Sequence, residues 1–116
     1  MSIALIVLAT LLGLAAAGSA FGKLKRVPSV VESMHAVGVS DGQMRILAAL
    51  ELLGAAGLLV GIWVPFIGIA AAIGLALYFL GAVIAHVRSA EPAKTAVAPV
   101  LLMVLAIATA ALELAR

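Results

Sequence analysis

The sequence predicts an all-α membrane protein: an antiparallel bundle of four transmembrane helices with a short amphipathic interfacial helix between helices 1 and 2. Of the 116 residues, 66% are hydrophobic and 10% are charged, whereas about 25% of the residues of an average soluble domain are charged. The mean hydropathy is +1.35, and a soluble domain of this size could not bury so much apolar surface. We therefore expect one integral membrane domain, residues 1–116, with the lipid bilayer as its main partner.

The composition also excludes several classes of function. The chain contains no cysteine, which excludes disulfide relays, thiolate-bound metals and iron–sulfur clusters. Its formal net charge of +2 comes from 7 basic and 5 acidic residues, too small an excess to predict a nucleic-acid partner. The motifs HExxH and GxGxxG and the Walker loop do not occur. We expect no catalytic residues and no metal site, although a lone Glu–His pair leaves acid–base chemistry open.

Four apolar stretches define the predicted spans, each close to the roughly 20 residues that cross a bilayer. The first has no charge before Lys23 and lacks the basic start of a secretory signal, so we expect an uncleaved helix. The small residues 17–20 keep a cleaved signal peptide as the alternative. Only Trp63 and Val64 separate the second stretch from the third, which begins at Pro65 and predicts a tight antiparallel hairpin. The approximate spans are 2–22, 41–62, 65–87 and 96–115.

The long connection after the first span is predicted to form an interfacial helix over residues 28–37, ended by Gly38. Its apolar and polar arcs separate at helical spacing, with Val30, Val31, Met34 and Val37 against Glu32, Ser33 and Ala36. His35 is at the border of the two arcs and is expected to be only interfacial. Ser40 and Gln43 fit a capping box, so the second span should begin near Asp41. Thr95 is the expected cap of the fourth span.

Basic residues are concentrated on the side of the bundle that holds the connections after the first and third spans, and the other side has only Arg116. Because positively charged loops remain in the cytoplasm, we predict a multi-pass protein of the inner (plasma) membrane. Residues 23–43 and 88–95 are predicted to be cytoplasmic and both termini to lie outside. The basic residues concerned are Lys23, Lys25, Arg26, Arg45, Arg88 and Lys94.

Small residues spaced by four predict where helices approach closely in lipid. We expect these stripes to be packing seams within one bundle, and a homodimer interface is the alternative. The residues concerned are Gly18 with Gly22, Gly57 with Gly61, and Gly68 with Ala72.

Glu51 is the most informative polar residue. It lies about 10 residues into its helix, roughly 15 Å from the helix start, where a carboxylate requires a partner from another helix. We expect His86 to be that partner, although about 13 Å separates the two in depth. Tyr78 is closer in depth, and Lys23 and Lys25 could extend inward from the first span. The predicted polar cluster is Glu51, Tyr78, His86, Lys23 and Arg88.

Two interpretations of this cluster remain open. It is either a buried latch that fixes the helix register or a site for a ligand or a proton. A second acidic residue, Glu113, stands three positions before Arg116 at the far end of the fourth span. We expect these two side chains to form a solvated ion pair of small energetic value.

Four groups of residues occur in an order that is typical of one known family: 22–24, the Pro28–Met34–Gly38 connection, Leu50 to Gly54 with Gly61, and Ala82 to His86. In this order they resemble the DoxX-like family of small four-helix bacterial membrane proteins. The resemblance implies a four-helix bundle and association with a redox-enzyme partner, since the name-giving members look like membrane subunits of thiosulfate:quinone oxidoreductase. It implies no catalytic role.

Three functions are compatible with the sequence. The first is a non-catalytic subunit or small-ligand binder of a membrane redox or stress-related system, with quinone or lipid as the ligand and the cluster around Glu51 as the site. The second is a small dimeric transporter or proton-coupled carrier, suggested by the membrane carboxylate and the glycine stripes. The third is a membrane assembly or lipid-binding scaffold, suggested by the basic connections and residues 28–37.

Overall fold

The computed structural model describes residues 2–89 and 96–116, and these form five helices and no strand. Four of the helices are long and apolar enough to cross a membrane, and a short one connects the first two of these. The predicted fold class is confirmed, and each predicted span agrees with its helix to within two residues at either end. Thr95 and Lys94 lie outside the described residues. The helices are α1 (Ile3–Leu24), α2 (Pro28–Ala36), α3 (Asp41–Val60), α4 (Pro65–Arg88) and α5 (Val97–Ala115).

The four long helices are arranged in a square. Helix α1 packs against α3 and α5, and α4 packs against the same two, so α1 and α4 are diagonal to each other. Because successive spans are antiparallel, the bundle has two distinct ends. One end, which we call the loop end, contains α2, the C-terminal ends of α1 and α4, and the N-terminal ends of α3 and α5. The tip end is the one with the α3–α4 turn.

A continuous apolar core occupies the middle of the bundle. Large hydrophobic side chains also cover its outside, where Leu53 is 70% and Phe66 80% exposed. Such exposure suits a protein that hydrocarbon surrounds, because lipid replaces water as the solvent of these faces. The buried core residues are Leu12, Ala16, Leu58, Ala72, Leu75, Phe79, Ala106 and Ala110.

The α3–α4 hairpin is packed through glycines. A β-carbon at Gly57 would lie 2.8 Å from the β-carbon of Ala71, and one at Gly61 would lie 2.7 Å from the backbone nitrogen of Gly68. These distances are shorter than van der Waals contact, so the two helices approach closely only because side chains are absent. The stripe of Gly57 and Gly61 is therefore a seam within one bundle, as the sequence predicts.

The stripe on α1 is different. No described atom lies within 4 Å of where a β-carbon would be at Gly18, and at Gly22 the nearest is a methyl group of Val30 at 3.5 Å. Neither glycine is at a close contact between two spans in the described part of the chain.

The connection between α1 and α3 is built from two Schellman turns. Gly38 ends α2 with a φ of 85°, and the amide of Val39 donates to the carbonyl of Met34, the bond that defines this motif. The predicted capping box of α3 is present, since the amide of Gln43 donates to Ser40 Oγ (3.2 Å) and the amide of Ser40 donates to the Gln43 side chain (2.9 Å). Helix α3 therefore begins at Asp41, as predicted.

Helix α2 lies over the loop end with its predicted apolar arc turned inward. Its apolar arc is half-buried, whereas Glu32 and Ala36 are exposed. Ser33, which the sequence pattern places on the polar arc, is also half-buried. No residue of α2 is fully buried, so the helix covers the bundle without entering its core.

Candidate ligand-binding site

Glu51 is completely buried and forms an ion pair with Lys23 of α1. Lys23 Nζ lies 2.5 Å from Glu51 Oε1 and also donates to Ser19 Oγ at 2.8 Å. Side chains of a helix point toward its N-terminus, so the ammonium group extends back along α1, one turn deeper than its own Cα. This geometry is the inward extension of a long Lys side chain from the end of the first span.

His86, the partner that we expected for Glu51, does not fill that role. Its Nδ1 lies 2.8 Å from the carbonyl oxygen of Ala82 in its own helix. The difference in depth between Glu51 and His86 explains this outcome, because neither side chain is long enough to bridge it. Lys25 and Arg88 are exposed, and neither has an ion-pair partner among residues 2–89 and 96–116.

Tyr78 lies beside the ion pair. Lys23 Nζ is 6.0 Å from the centre of the phenol ring, and Tyr78 and Glu51 are close enough to interact electrostatically. The close packing at the glycines of the α3–α4 hairpin explains this position. It fixes how α3 and α4 are aligned along their length, and this alignment places Tyr78 opposite Glu51. The predicted cluster therefore contains Glu51, Tyr78 and Lys23 in mutual proximity.

One oxygen of the buried carboxylate is not hydrogen-bonded. Glu51 Oε2 is buried and has no hydrogen-bond partner among the described residues. A buried carboxylate oxygen without a donor is costly, so the ion pair with Lys23 satisfies Glu51 only in part.

A cavity of about 640 Å³ lies at the loop end, beside this cluster. Its walls come from α1, α2, α4 and α5, with Leu47 of α3 at one side. Most of the lining is apolar, as is typical of cavities that bind small molecules. The polar residues in the lining are Ser19, Lys23, Ser29, Ser33, Tyr78 and His86.

These polar groups are mostly hydrogen-bond donors. Lys23 uses two of its N–H bonds on Ser19 and Glu51 and has a third left. The hydroxyls of Ser29 and Ser33 have no partner in the described part of the chain. His86 is the exception: its Nδ1 must carry the proton that the Ala82 carbonyl accepts, so in the neutral ring Nε2 is an acceptor. Arg88 does not line the cavity.

A second buried carboxylate, Glu113, lies at the tip end, which corrects our expectation of a solvated pair. Glu113 is 2% exposed, and a β-carbon at Gly68 would lie 2.7 Å from its carboxylate oxygens. Arg116 Nε lies 3.4 Å from Glu113 Oε2, and Arg116 Nη2 donates to the carbonyl of Gly61 at 2.5 Å. The absence of a side chain at Gly68 makes room for this carboxylate. The spacing of Gly68 and Ala72 predicts a packing seam and does not by itself predict this contact.

The two buried carboxylates are separated by the apolar core. Thr109, the fully buried polar residue between them, donates to the carbonyl of Leu105 in its own helix. The cavity at the loop end reaches Phe79, which belongs to that core. The described residues contain no group of three side chains that could hold a metal ion.

Comparison with known proteins gives one finding. The model of the DoxX-like family matches residues 7–109, which include α2, α3, α4 and most of α1 and α5. The comparisons with curated proteins and with solved structures found no match.

Proposed function

The chain belongs to the DoxX-like family of membrane proteins, and from that premise we propose that it is a non-catalytic binder of a small apolar ligand with a polar, hydrogen-bond-accepting head. The observation that carries this proposal is the loop-end cavity of about 640 Å³, apolar except for a few donors beside a buried ion pair. Sites for small molecules typically enclose about 300–1,000 Å³.

A quinone is the ligand class that suits these walls best. Its carbonyl oxygens only accept hydrogen bonds, and Lys23, Tyr78 and Ser33 supply donors at the cavity wall. Its isoprenoid or alkyl tail would contact the apolar side chains of α4 and α5. The side chains that line the cavity bind and orient such a ligand, and no residue here is assigned a chemical step. Association with a redox-enzyme partner, and a cytoplasmic loop end, are part of the same proposal.

A lipid is the second candidate for this cavity, because an acyl chain suits the same apolar walls. A proton-coupled carrier is less well supported. The buried carboxylates Glu51 and Glu113 are the groups that would carry a proton, and the apolar core between them offers no polar relay in the described residues.

Two glycines of α4 provide a matched test. Gly81 and Gly74 both have no described atom within 4 Å of a would-be β-carbon, but only Gly81 lines the cavity. Gly81→Leu would fill the cavity and Gly74→Leu would not. We expect the purified wild type and Gly74→Leu to bind decyl-benzoquinone in isothermal titration calorimetry. Gly81→Leu should bind it about tenfold more weakly or not at all, a loss of about 1.4 kcal/mol or more.

Tyr78→Phe tests the polar head separately, because it removes one donor and keeps the apolar wall. We expect a weaker affinity in a variant that is still folded, as its thermal unfolding curve would verify. Equal affinity in Gly81→Leu and Gly74→Leu would contradict the proposal. Displacement of the quinone by an equal concentration of phospholipid would identify lipid as the occupant instead.

A further inference from the structure

A second, smaller cleft lies at the loop end between the end of α1 and the start of α3. It encloses about 260 Å³ and is separate from the cavity described above, with only Lys23 in common. Its other lining residues are Leu24, Arg26, Asp41, Met44 and Arg45.

The cleft carries an excess of positive charge. Lys23 is balanced by Glu51, and Arg26 Nη1 lies 3.2 Å from Asp41 Oδ1. The same carboxylate oxygen of Asp41 is 2.9 Å from His35 Nε2. Arg45 is exposed and has no partner in the described part of the chain. Two guanidinium groups therefore face one carboxylate, and that carboxylate is shared with His35.

The backbone at Arg26 is the second observation. Arg26 has a φ of 55° and is the only non-glycine residue with a positive φ among the described residues. It occupies the left-handed position of the Schellman turn that ends α1, where its amide donates to the carbonyl of Lys23 and the amide of Val27 donates to that of Gly22. Glycine is usual at this position. A strained conformation of this kind is a reason to look for a function of the side chain.

The surroundings of the cleft indicate what it contacts. The cleft lies where the apolar run of α1 ends. Leu24 is 46% and Ile46 61% exposed, so acyl chains would contact these side chains just below the guanidinium groups. Arginine binds phosphate oxygens through paired N–H donors.

We propose that this cleft binds the phosphate of an anionic phospholipid, with Arg26 and Arg45 as the ligands of the headgroup. Arg45 supplies a positive charge that no described carboxylate balances. Arg26 supplies the N–H donors that are not used in its contact with Asp41. Leu24 and Ile46 contact the first part of the acyl chains. The proposal does not depend on the ligand of the larger cavity.

The test uses the full chain, delipidated in a neutral detergent, with phosphatidylglycerol or phosphatidylcholine added back and bound lipid counted by native mass spectrometry. We expect the affinity for phosphatidylglycerol to exceed that for phosphatidylcholine at least tenfold in the wild type. Arg45→Gln should abolish most of that preference. Lys25→Gln is the matched control, because Lys25 is an exposed cation adjacent to Arg26 that does not line the cleft.

Arg26→Gly separates binding from folding. Glycine relieves the left-handed backbone, so the melting temperature without lipid should not decrease, whereas the preference for phosphatidylglycerol should decrease about as much as in Arg45→Gln. An equal loss in Lys25→Gln would overturn the site and leave only a diffuse basic surface. Saturation by inorganic phosphate with no preference between the two lipids would also overturn it, because the cleft would then be a site for a free anion.

Discussion

Lys23 and Glu51 connect α1 and α3 through an ion pair that is almost completely hidden from solvent, with exposures of 8% and 0%. The pair joins residues that are 28 positions apart in the chain. In a bundle whose helices gain little from burying apolar side chains against each other, such a contact fixes both the rotation and the vertical position of α1 relative to α3. Lys23 of this pair also lines the larger cavity.

The first prediction concerns the energetic coupling of this pair. Lys23→Met leaves a buried carboxylate without its counter-charge, which should lower the free energy of unfolding by about 3–5 kcal/mol. Glu51→Gln leaves Lys23 with a neutral acceptor and should cost less. The double variant Lys23→Met/Glu51→Leu should be more stable than Lys23→Met alone, as a double-mutant cycle of unfolding in detergent would measure. Additive losses would show that the two side chains act independently.

The second prediction tests whether the Glu113 carboxylate occupies the space that a side chain at Gly68 would need. Gly68→Ala places a methyl group where the Glu113 carboxylate lies, and should destabilise the chain by about 1–3 kcal/mol, as overpacking does. In a Glu113→Ala background the same substitution should cost almost nothing, because the space is vacant. The same unfolding assay measures both values. An unchanged cost of Gly68→Ala in that background would contradict the assigned contact.

The third prediction compares two glycines in the α3–α4 hairpin. Gly61→Ala would bring a β-carbon against the backbone of Gly68, where no side-chain rotation can relieve the overlap. Its φ of −61° is normal for alanine, so the expected decrease in melting temperature is due to packing alone. Gly74→Ala is the control: it faces open space and should leave stability unchanged or raise it, since alanine favours a helix by up to about 1 kcal/mol.

The fold is predicted well from the sequence because the lipid bilayer restricts which backbone structures can cross it. Each span must be a continuous apolar helix. Ser40, Gly38 and Pro65 are residue types that mark where helices begin or end. Counting residues from the hairpin also indicated that Tyr78 is level with Glu51, since the two lie on adjacent antiparallel helices. That inference required no information on packing between distant helices.

The partners of the charged residues were harder to predict. His86 was favoured for its chemistry although its depth was unsuitable, and Lys23 was the actual partner because its long side chain reaches inward. Glu113 was expected in solvent because it stands near Arg116 at the end of a span. Its burial depends on the missing side chain of Gly68 on another helix, which only the packed structure reveals. The cavity has the same origin, because five helices contribute to its walls.

The last prediction concerns α2, which lines the larger cavity through Ser29, Ser33 and Met34. Helix α2 has no fully buried residue. Among the long helices it packs mainly against α1, and its His35 also contacts Asp41 at the start of α3 in an exposed position. The amides of α2 should therefore exchange hydrogen faster than those of the four spans, because weakly packed segments open at low free-energy cost.

A ligand in the cavity should slow this exchange. A ligand that binds only when α2 is in place adds about 2.7 kcal/mol to the cost of opening at a concentration one hundred times its Kd, which corresponds to roughly a hundredfold slower exchange. Hydrogen exchange followed by mass spectrometry, with and without decyl-benzoquinone, measures this effect. The turn of residues 61–64 at the tip end is the internal control and should exchange at the same rate in both samples. Slower exchange at that turn with no change in α2 would show that the quinone binds elsewhere, because α2 covers only the loop end.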